Sequence, residues 1–279
     1  MAPGSHVEHS IRSADGTRLR LFQWTPPEPA GRDVLLVHGL AEHADRYHHV
    51  AAALNAAGHR ATLVELRGHG RSEGRRGHVR RWQDYVDDVV AAARFVRGEM
   101  FIVAHSMGGL VVLDGLRGGP LREHAVAVAV SNPLLGVAFD PPKVKEAAAG
   151  LLSRLLPWLS LSNELDVNLI SRDKAVVAAY EADPLVFDTI TPRWYTEMLG
   201  ARKRVHAHAG RYDLPGLAMV GTGDGICDHR ATVSLMERWG HPDHEVKRYE
   251  GLYHELFNEP EKERVLADLV AWLGARDQP

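Results

Sequence analysis

The sequence of 279 residues predicts an α/β protein with a mostly parallel β-sheet and helices on both of its faces. Apolar runs of strand length, such as 101–104 and 125–130, alternate with longer segments whose apolar residues recur at helical spacing. The alternation stops after residue 132 and resumes at 217. We therefore expect one core, residues 1–132 and 210–279, interrupted after the sixth strand by a helical cap, residues 133–209.

The elements before the interruption can be assigned in order from periodicity and turn residues. Asp15-Gly16 separates two alternating segments and predicts an opening hairpin. The predicted strands are 7–11, 17–24, 33–39, 61–66, 101–104 and 125–130. Helices are predicted at 46–57 and 82–96 and directly after residue 106. In the second of these helices we expect Asp84, Asp87 and Asp88 to face solvent.

The interruption and the last part of the chain have different patterns. Segment 143–156 predicts an amphipathic helix that ends at Pro157, and the rest of the interruption predicts helices and loops without strands. Strand and helix then alternate again. The predicted elements there are a strand at 217–221, a helix at 231–239, a strand at 245–249 and a helix at 261–273.

Composition excludes several classes of protein. With 45% hydrophobic residues, 25% charged residues and a net charge of −3, the chain has no general electrostatic reason to bind nucleic acid. Its single cysteine, Cys227, cannot form an internal disulfide and is interpreted as a small buried apolar residue. The start of the chain lacks the features of a secretion signal, and no apolar run approaches the ~20 residues of a spanning helix. We expect a cytoplasmic protein with at most peripheral membrane contact through the cap.

The stretch from Phe101 to Leu110 has the pattern of a nucleophile elbow, G-x-S-x-G, in which a serine lies on a sharp strand-to-helix turn. Ser106 is the expected nucleophile, and the first amides of the following helix would point at the reacting atoms. Ala104 replaces the first glycine, and its methyl group leaves room for the turn. Taken alone, the motif also fits a plain strand-helix junction.

Two further strand ends supply the partners that a serine nucleophile needs, a base and an acid that holds the base. Asp224 follows the strand at 217–221, and His254 follows the strand at 245–249. The order Ser106, Asp224, His254 is the one expected for a hydrolase of this architecture. Asp228 is the alternative acid, but its position before a predicted helix favours an N-cap. A histidine base predicts activity that rises with pH around the ordinary value of ~6.5.

A tetrahedral intermediate also requires backbone donors. The amide of Met107 is one candidate, and the amide of Leu40, in the loop that Gly39 allows to bend, is the other. His38 is interpreted as a brace of that loop. We expect no cofactor and no metal site, and we assign His206 and His208 to structural roles in spite of their H-x-H spacing.

These motifs together resemble the monoacylglycerol lipase and lysophospholipase branch of the α/β-hydrolase superfamily. The similar segments in the core are 38–43 with 46–47, 68–74, 105–109, 224–228 and 250–254. Further similar segments lie inside the cap, at 159–161, 171–172 and 180–185. The resemblance implies the α/β-hydrolase fold and the hydrolysis of carboxylic esters with a single acyl chain, above all monoacylglycerols, through an acyl-enzyme.

The resemblance also implies where such a substrate would bind. Residues matching Glu42, Arg46 and Tyr180 line the alcohol end in the family, and Leu40 and Phe257 make that end more apolar here. The acyl chain would lie under the cap, where Leu151 and Leu152 belong to an apolar stripe expected to form a lip. A lysophospholipase or broad carboxylesterase is the alternative, and a non-catalytic ligand-binding protein on the same fold is a third possibility.

Overall fold

The structure, a computed structural model, describes residues 6–138 and 143–277, with residues 143–148 described by their backbone alone. Within these ranges the main sheet has eight strands in the order β1-β2-β4-β3-β5-β6-β9-β10. The strands are β1 (Val7–Arg12), β2 (Arg18–Trp24), β3 (Asp33–Val37), β4 (Ala61–Glu65), β5 (Met100–His105), β6 (Ala125–Ser131), β9 (Gly216–Gly221) and β10 (His244–Tyr249). The pairs β1–β2 and β2–β4 are antiparallel, and the pairs from β4 to β10 are parallel. The predicted sheet is thus confirmed strand by strand.

Helices cover both faces of the sheet, as predicted. Those of the core are α1 (His48–Ala56), α2 (Trp82–Val96), α3 (Ser106–Gly115), α4 (Pro120–His124), α8 (His229–Met236) and α9 (Lys262–Gly274). Apolar side chains of α1 and α9 share one hydrophobic cluster, whereas those of α2, α3 and α8 share another. The short helix α4 was not predicted from the sequence. Its five residues are too few to show a helical repeat of apolar residues.

The strand order reverses direction at β3. The chain passes from β3 to β4 on one side and then to β5 on the other side, so the loops that leave β3 and β5 diverge at the carboxyl ends of these neighbouring strands. A crevice at such a reversal is where open α/β sheets bind ligands. Ser106 directly follows β5 and Gly39 is the second residue after β3, so both lie at the crevice.

The segment between β6 and β9 contains the interruption predicted from the sequence. It holds α5 (Lys143–Leu155), β7 (Leu161–Ser162), α6 (Lys174–Ala182), β8 (Thr189–Ile190) and α7 (Pro192–His208). β7 and β8 pair with each other in a small antiparallel sheet, so the expectation of no strands there was wrong. Buried residues of α7 belong to the hydrophobic cluster of the core. The boundary of the cap at residue 209 stays a prediction.

Two of the three aspartates of α2 are buried, which corrects the expectation that all three face solvent. Asp88 is fully buried and forms two hydrogen bonds with the guanidinium of Arg67, at 2.6 Å and 2.9 Å. Asp84 is 3% exposed and accepts from the amide and side chain of Arg81, at the helix N-terminus. Asp87 alone is half-buried. The helical pattern marks all three as polar, but burial of Asp88 is tolerable because Arg67 from another segment pairs with it, and burial of Asp84 because Arg81 at the start of the helix does.

Replacing Asp88 with Ala should lower the free energy of unfolding by about 3 kcal/mol, because the buried guanidinium of Arg67 would lose its bidentate partner. Asp87→Ala is the matched control in the same helix. Its carboxylate accepts one exposed hydrogen bond from Gln83, so the change should stay within about 0.5 kcal/mol. Urea unfolding measures both. Similar losses in the two variants would contradict a stabilising role for the buried pair.

Candidate active site

The elbow predicted at Ser106 is present in the structure. Ser106 begins α3 directly after β5 and has a φ of 51°, in the left-handed region that non-glycine residues rarely adopt. A Cβ atom at Gly108 would lie 2.4 Å from the carbonyl oxygen of His38, and one at Gly109 would lie 2.8 Å from Cβ of Pro133. Only glycine allows α3 to approach the neighbouring segments this closely. Ala104, by contrast, is buried without displacing the turn.

The structure brings Ser106, His254 and Asp224 together. Nε2 of His254 lies 2.9 Å from Oγ of Ser106, and Nδ1 lies 2.8 Å from Oδ2 of Asp224. All three side chains are at most 7% exposed. If Nδ1 carries the imidazole proton and donates it to Asp224, then Nε2 is free to accept the hydroxyl proton of Ser106. This is the hydrogen-bonding order of a nucleophile, a base and an orienting acid.

The two candidate acids have separate roles in the structure. Oδ1 of Asp224 accepts the backbone amides of Ile226 and Cys227, at 2.8 Å and 3.0 Å, so the carboxylate is fixed with its other oxygen toward His254. Asp228 accepts the amide of Arg230 and is the N-cap of α8. The geometry therefore favours Asp224 as the partner of the histidine.

His254 has a pKa raised well above its ordinary value. Burial by itself would lower this pKa, but the Asp224 carboxylate, which bonds to the ring, stabilises the imidazolium and raises it. The pH expectation drawn from the sequence, a midpoint at the ordinary histidine value, is corrected upward. The physical reason is the pairing with Asp224, whose strength the sequence does not give.

The predicted backbone donors belong to two segments that adjoin Ser106. Met107 is the second residue of α3, where helix geometry leaves an amide without an acceptor inside the helix. Leu40 follows Gly39, whose Cα is close enough to Ser106 that an added Cβ would lie 3.2 Å from the serine Cβ. The carboxylate of Glu42 accepts the Gly39 amide at 2.8 Å. That bond fixes the loop from which the Leu40 amide would be presented.

Two further histidines near the site are held neutral. His38 contacts the Gly39 carbonyl through Nδ1 at 2.7 Å and accepts the Leu66 amide through Nε2 at 3.0 Å, which fits the predicted brace. Burial lowers its pKa to about 4. Burial likewise lowers the pKa of His105 to about 4. Both are therefore poorly suited to accept a proton at neutral pH.

Glu42, Arg46 and Tyr180, the residues implied for the alcohol end, form one buried cluster. The guanidinium carbon of Arg46 lies 4.6 Å from the ring centroid of Tyr180, and its Nε lies 3.6 Å from Oε1 of Glu42. Arg46 also donates to Glu255 at 2.6 Å. Tyr47 donates its hydroxyl to Glu42 at 2.9 Å. Sequence reasoning missed Glu255, whose position beside His254 was the available signal.

The two carboxylates of this cluster differ in charge. Burial tends to raise the pKa of both, but the His105 ring, in the acidic range where it is itself protonated, and the Arg46 guanidinium lower the pKa of Glu42. For Glu255, burial and the neighbouring Glu42 together raise the pKa in spite of Arg46. Glu42 is thus the ionised member of the pair. Oε2 of Glu42 already accepts from both Gly39 and Tyr47, so only Oε1, which lies 3.6 Å from Nε of Arg46, has acceptor capacity left for a substrate hydroxyl.

Two cavities bear on where a substrate can bind. One of about 10 Å³ lies among the charged cluster, His105 and Phe257. That volume holds a single water at most, so an alcohol would have to displace side chains there. The other, of about 610 Å³, lies between α2 and the end of α3 and is lined by Arg12, Arg94 and Arg117. No residue predicted for the site is among its described lining residues.

The predicted lip of the cap is exposed in the structure. Leu151 is 60% exposed, and Leu152 is partly buried. Further exposed apolar side chains follow within and after α5, namely Leu155, Leu156, Trp158, Leu159 and Leu161. Other members of the predicted stripe, Val144, Ala147 and Ala148, lie outside the described side chains. The described stripe therefore leaves much of its apolar surface uncovered.

Cys227 and the paired histidines have structural surroundings. Cys227 is buried, and burial raises the pKa of its thiol, which fits the predicted buried apolar residue. His206 contacts the Leu135 carbonyl through Nε2 at 2.9 Å, and the ring of His208 packs edge-on against Tyr212. Across the described ranges, the one close group of three possible metal ligands is Asp224, Cys227 and His254. Asp224 and His254 of this group already pair with each other.

Comparison with known proteins agrees with this geometry. The family model described as Serine aminopeptidase, S33 matches residues 28–261. The chain belongs to this family. The monoacylglycerol lipase of Mycolicibacterium smegmatis is 35% identical over 279 residues, covering 98% of this chain and 99% of that protein. The phospholipase YtpA of Bacillus subtilis is 27% identical over 249 residues, covering 88% and 95%. The solved monoacylglycerol lipase of Paleococcus ferrophilus superposes with a TM-score of 0.85 at 32% identity, covering 92% and 98%.

The resemblance stated from the motifs is thereby confirmed. The protein is a member of the monoacylglycerol lipase branch of the α/β-hydrolases and is a carboxylic ester hydrolase. Its substrate is a small ester. The third possibility, a non-catalytic binding protein, is set aside by these relatives. None of the described helices is long and apolar enough to cross a membrane.

Proposed function

We propose that this ester hydrolase cleaves esters with a single acyl chain, above all monoacylglycerols, through an acyl-enzyme on Ser106. The observation that carries the proposal is the continuous chain of hydrogen bonds from Ser106 through His254 to Asp224. The relatives named monoacylglycerol lipase, at up to 35% identity over nearly the whole chain, support the substrate class.

The reaction follows from the positions of these groups. Oγ of Ser106 forms a bond to the ester carbonyl carbon while Nε2 of His254 takes the hydroxyl proton. The amides of Met107 and Leu40 stabilise the carbonyl oxygen as it becomes negative. The C–O bond to the alcohol then breaks, and the alcohol leaves with the proton from His254. Water, deprotonated by Nε2 of His254, then bonds to the acyl carbon, the bond from that carbon to Oγ breaks, and the proton on His254 returns to Ser106 as the carboxylic acid leaves.

The alcohol end is proposed to bind a small polar alcohol against Arg46. The side chain of Arg46 is 11% exposed, and its buried NH1 group has no hydrogen-bond partner among the described residues. A substrate hydroxyl is a suitable acceptor for this buried donor. Glu42, by contrast, acts through the loop that it holds. Tyr180 holds Arg46 in place by stacking.

A lysophospholipase or broad carboxylesterase is the second candidate. The observation in its favour is the phospholipase relative from Bacillus subtilis, together with Phe257 beside the small cavity, which makes the alcohol side more apolar. A hydrolysis panel in which acyl length and alcohol vary independently separates the two. Preference for glycerol over glycerophosphocholine and simple alkyl alcohols at a fixed acyl chain would favour the monoacylglycerol assignment.

Replacing Ser106 with Ala should lower kcat by roughly 10⁴-fold or more, because the nucleophile, base and acid act as a unit. Hydrolysis of a monoacylglycerol and labelling by a fluorophosphonate probe both measure the loss. Ser131→Ala is a suitable control, since that buried hydroxyl has no partner among the described residues and lies outside the proposed reaction. A Ser106→Ala enzyme with most of its activity would overturn the assignment.

The pH profile should reflect the raised pKa of His254. The base accepts a proton only when neutral, so kcat/KM should be low at acidic pH and rise through a midpoint above ~6.5. Asp224→Asn removes the carboxylate charge that raises the pKa of His254. The midpoint of the pH profile should therefore move down while the rate falls at every pH. A wild-type midpoint at or below the ordinary histidine value would contradict the proposed pairing.

The exposed lip should select the acyl chain. Covering a longer chain buries more methylene groups, each contributing ~0.8 kcal/mol, so kcat/KM should rise with chain length until the site is full. Replacing both Leu151 and Leu152 with Ser should reduce activity on long-chain esters much more than on acetate esters. Val7→Ser, at an exposed valine in β1, is the control. Equal losses on both substrates would show that the lip does not contact the chain.

The same apolar surface is proposed to make the peripheral contact with a membrane or micelle. Leu155, the last residue of α5, is 64% exposed, and Trp158, which follows the helix, is 55% exposed. Transfer of tryptophan and leucine side chains from water into an apolar interface is favourable. Binding to lipid vesicles before and after the Leu151 and Leu152 replacements measures this contact separately from catalysis.

A further inference from the structure

Asn132, the residue directly after β6, is buried in an unusual backbone conformation. It is 1% exposed and has a φ of 40°, in the left-handed region. Asparagine tolerates this region better than most side chains do. Its own amide donates to the carbonyl of Met219 in β9 at 2.9 Å. The chain therefore turns sharply here, and the turn points the Asn132 side chain across β9.

The side chain reaches the loops that carry both partners of Ser106. Nδ2 donates to the carbonyl oxygens of His254, at 2.8 Å, and Tyr253, at 3.1 Å. Oδ1 accepts the amide of Gly221, the last residue of β9, at 3.0 Å. The chemistry of the partners fixes the orientation of the amide, because carbonyls only accept and a backbone N–H only donates. Both hydrogens of the side-chain amide are thus used on the loop that ends at the base.

The same turn also contacts the nucleophile. The amide of Leu134 donates to the carbonyl oxygen of Ser106 at 3.0 Å. Gly221 in turn accepts the amide of Asp224 at 3.3 Å. Within three residues, the turn after β6 is therefore bonded to the backbone of Ser106, to that of His254 and to the strand end that precedes Asp224. Ser106, Asp224 and His254 come from segments far apart in the sequence, and the turn after β6 is bonded to all three segments.

We propose that Asn132 is a positioning residue that sets the distance of His254 from Ser106 and Asp224 through the backbone carbonyls it binds. The inference rests on the proposed function, since it assigns the base to His254. The bond to the His254 carbonyl is the shortest of the three that the side chain makes. The other described bond to that oxygen comes from the Leu256 amide and is longer, at 3.2 Å. The side chain itself does not contact Ser106 or the imidazole in any described hydrogen bond.

The consequence is kinetic. A substitution that displaces a reacting group by about 1 Å can lower the rate by roughly 10²-fold, even when the substituted residue does not contact the substrate. Loss of Asn132 should therefore lower kcat and leave KM for a short-chain ester nearly unchanged. It should also weaken the contact between His254 and Asp224 that raises the pKa of the histidine. The midpoint of the pH profile should then fall.

Two variants test the proposal. Asn132→Asp keeps the shape, the acceptor for Gly221 and the tolerance of a left-handed backbone, but it places a carboxylate oxygen against the carbonyls of Tyr253 and His254. Asn132→Gly keeps the backbone and removes all three side-chain bonds without adding a charge. The pH profile is measured on the glycine variant, because the charge of the aspartate would itself change the pKa of His254.

Asn55 offers a matched control in α1. Its side-chain amide also donates to two backbone carbonyls, those of Trp24, at 3.1 Å, and His59, at 2.8 Å. Asn55→Asp removes the same pair of donors outside the site. Thermal melting of all variants separates stability from chemistry. The expected result is that both aspartate variants melt at a lower temperature, while only Asn132→Asp and Asn132→Gly lose kcat, by roughly 10- to 100-fold.

The outcomes separate this proposal from the one it rests on. Folded Asn132 variants with normal kcat, or with a loss no larger than that of Asn55→Asp, would overturn the positioning role while leaving an inactive Ser106→Ala intact. A rise in KM at constant kcat would also overturn it. Failure of both Asn132 variants to fold would assign the residue to stability alone and overturn it as well. An active Ser106→Ala enzyme would instead remove the proposed function itself.

Discussion

The left-handed backbone of Ser106 is the constraint on which the rest of the site depends. A non-glycine residue at a φ of 51° is held only where its surroundings over-determine it. Here the surroundings are the close approach of α3 to the end of β3, which needs Gly108, and the bond from the Leu134 amide to the Ser106 carbonyl. The elbow is thus fixed from two sides. The hydroxyl of Ser106 is in turn held within reach of a histidine from the far end of the chain.

A second constraint is the charge buried beside the elbow. Arg46 lies between Glu42, which holds the Gly39 loop, and Glu255, which follows the base. Removing a cation from water is costly unless it is paired, so Arg46 is bound to both of these carboxyl groups. The guanidinium also stacks on Tyr180 of α6. One buried cation therefore joins the loop of a proposed oxyanion donor, the loop of the proposed base and the inserted segment.

The inserted segment is attached to the core unevenly. Around α6 it is bound firmly, for example by His43 to Asp183 at 2.8 Å and by Arg76 to the Leu185 carbonyl at 2.7 Å. The described end of α5 instead exposes leucines. The polar contacts around α6 hold that part of the inserted segment against the core. The exposed apolar side chains near the end of α5 remain available to a chain of methylene groups. Under the proposed function, this division would hold the reacting end of the ester rigidly while the acyl chain meets the exposed leucines.

The sequence alone determined the features that local patterns encode. Periodicity of apolar residues defined the strands and the long helices, because burial of one face depends on spacing within the element. The placement of Ser106, Asp224 and His254 at strand ends was visible because parallel strands gather their carboxyl ends at one edge. The tertiary structure decided which partner each buried polar side chain binds. Asp88 is buried because Arg67 lies against it, and Arg46 meets Glu255 across 209 residues of chain.

The same division explains the corrections and the residues that were missed. The raised pKa of His254 depends on its distance from Asp224, and the role of Asn132 depends on a contact 122 residues away. The two-residue strands β7 and β8 are too short to show an alternation of apolar and polar residues. A local pattern specifies the conformation of a segment and the face that it buries. The partner of a buried polar group is specified only when distant segments pack together, because hydrogen bonds and charges act over a few ångströms of space and not along the chain.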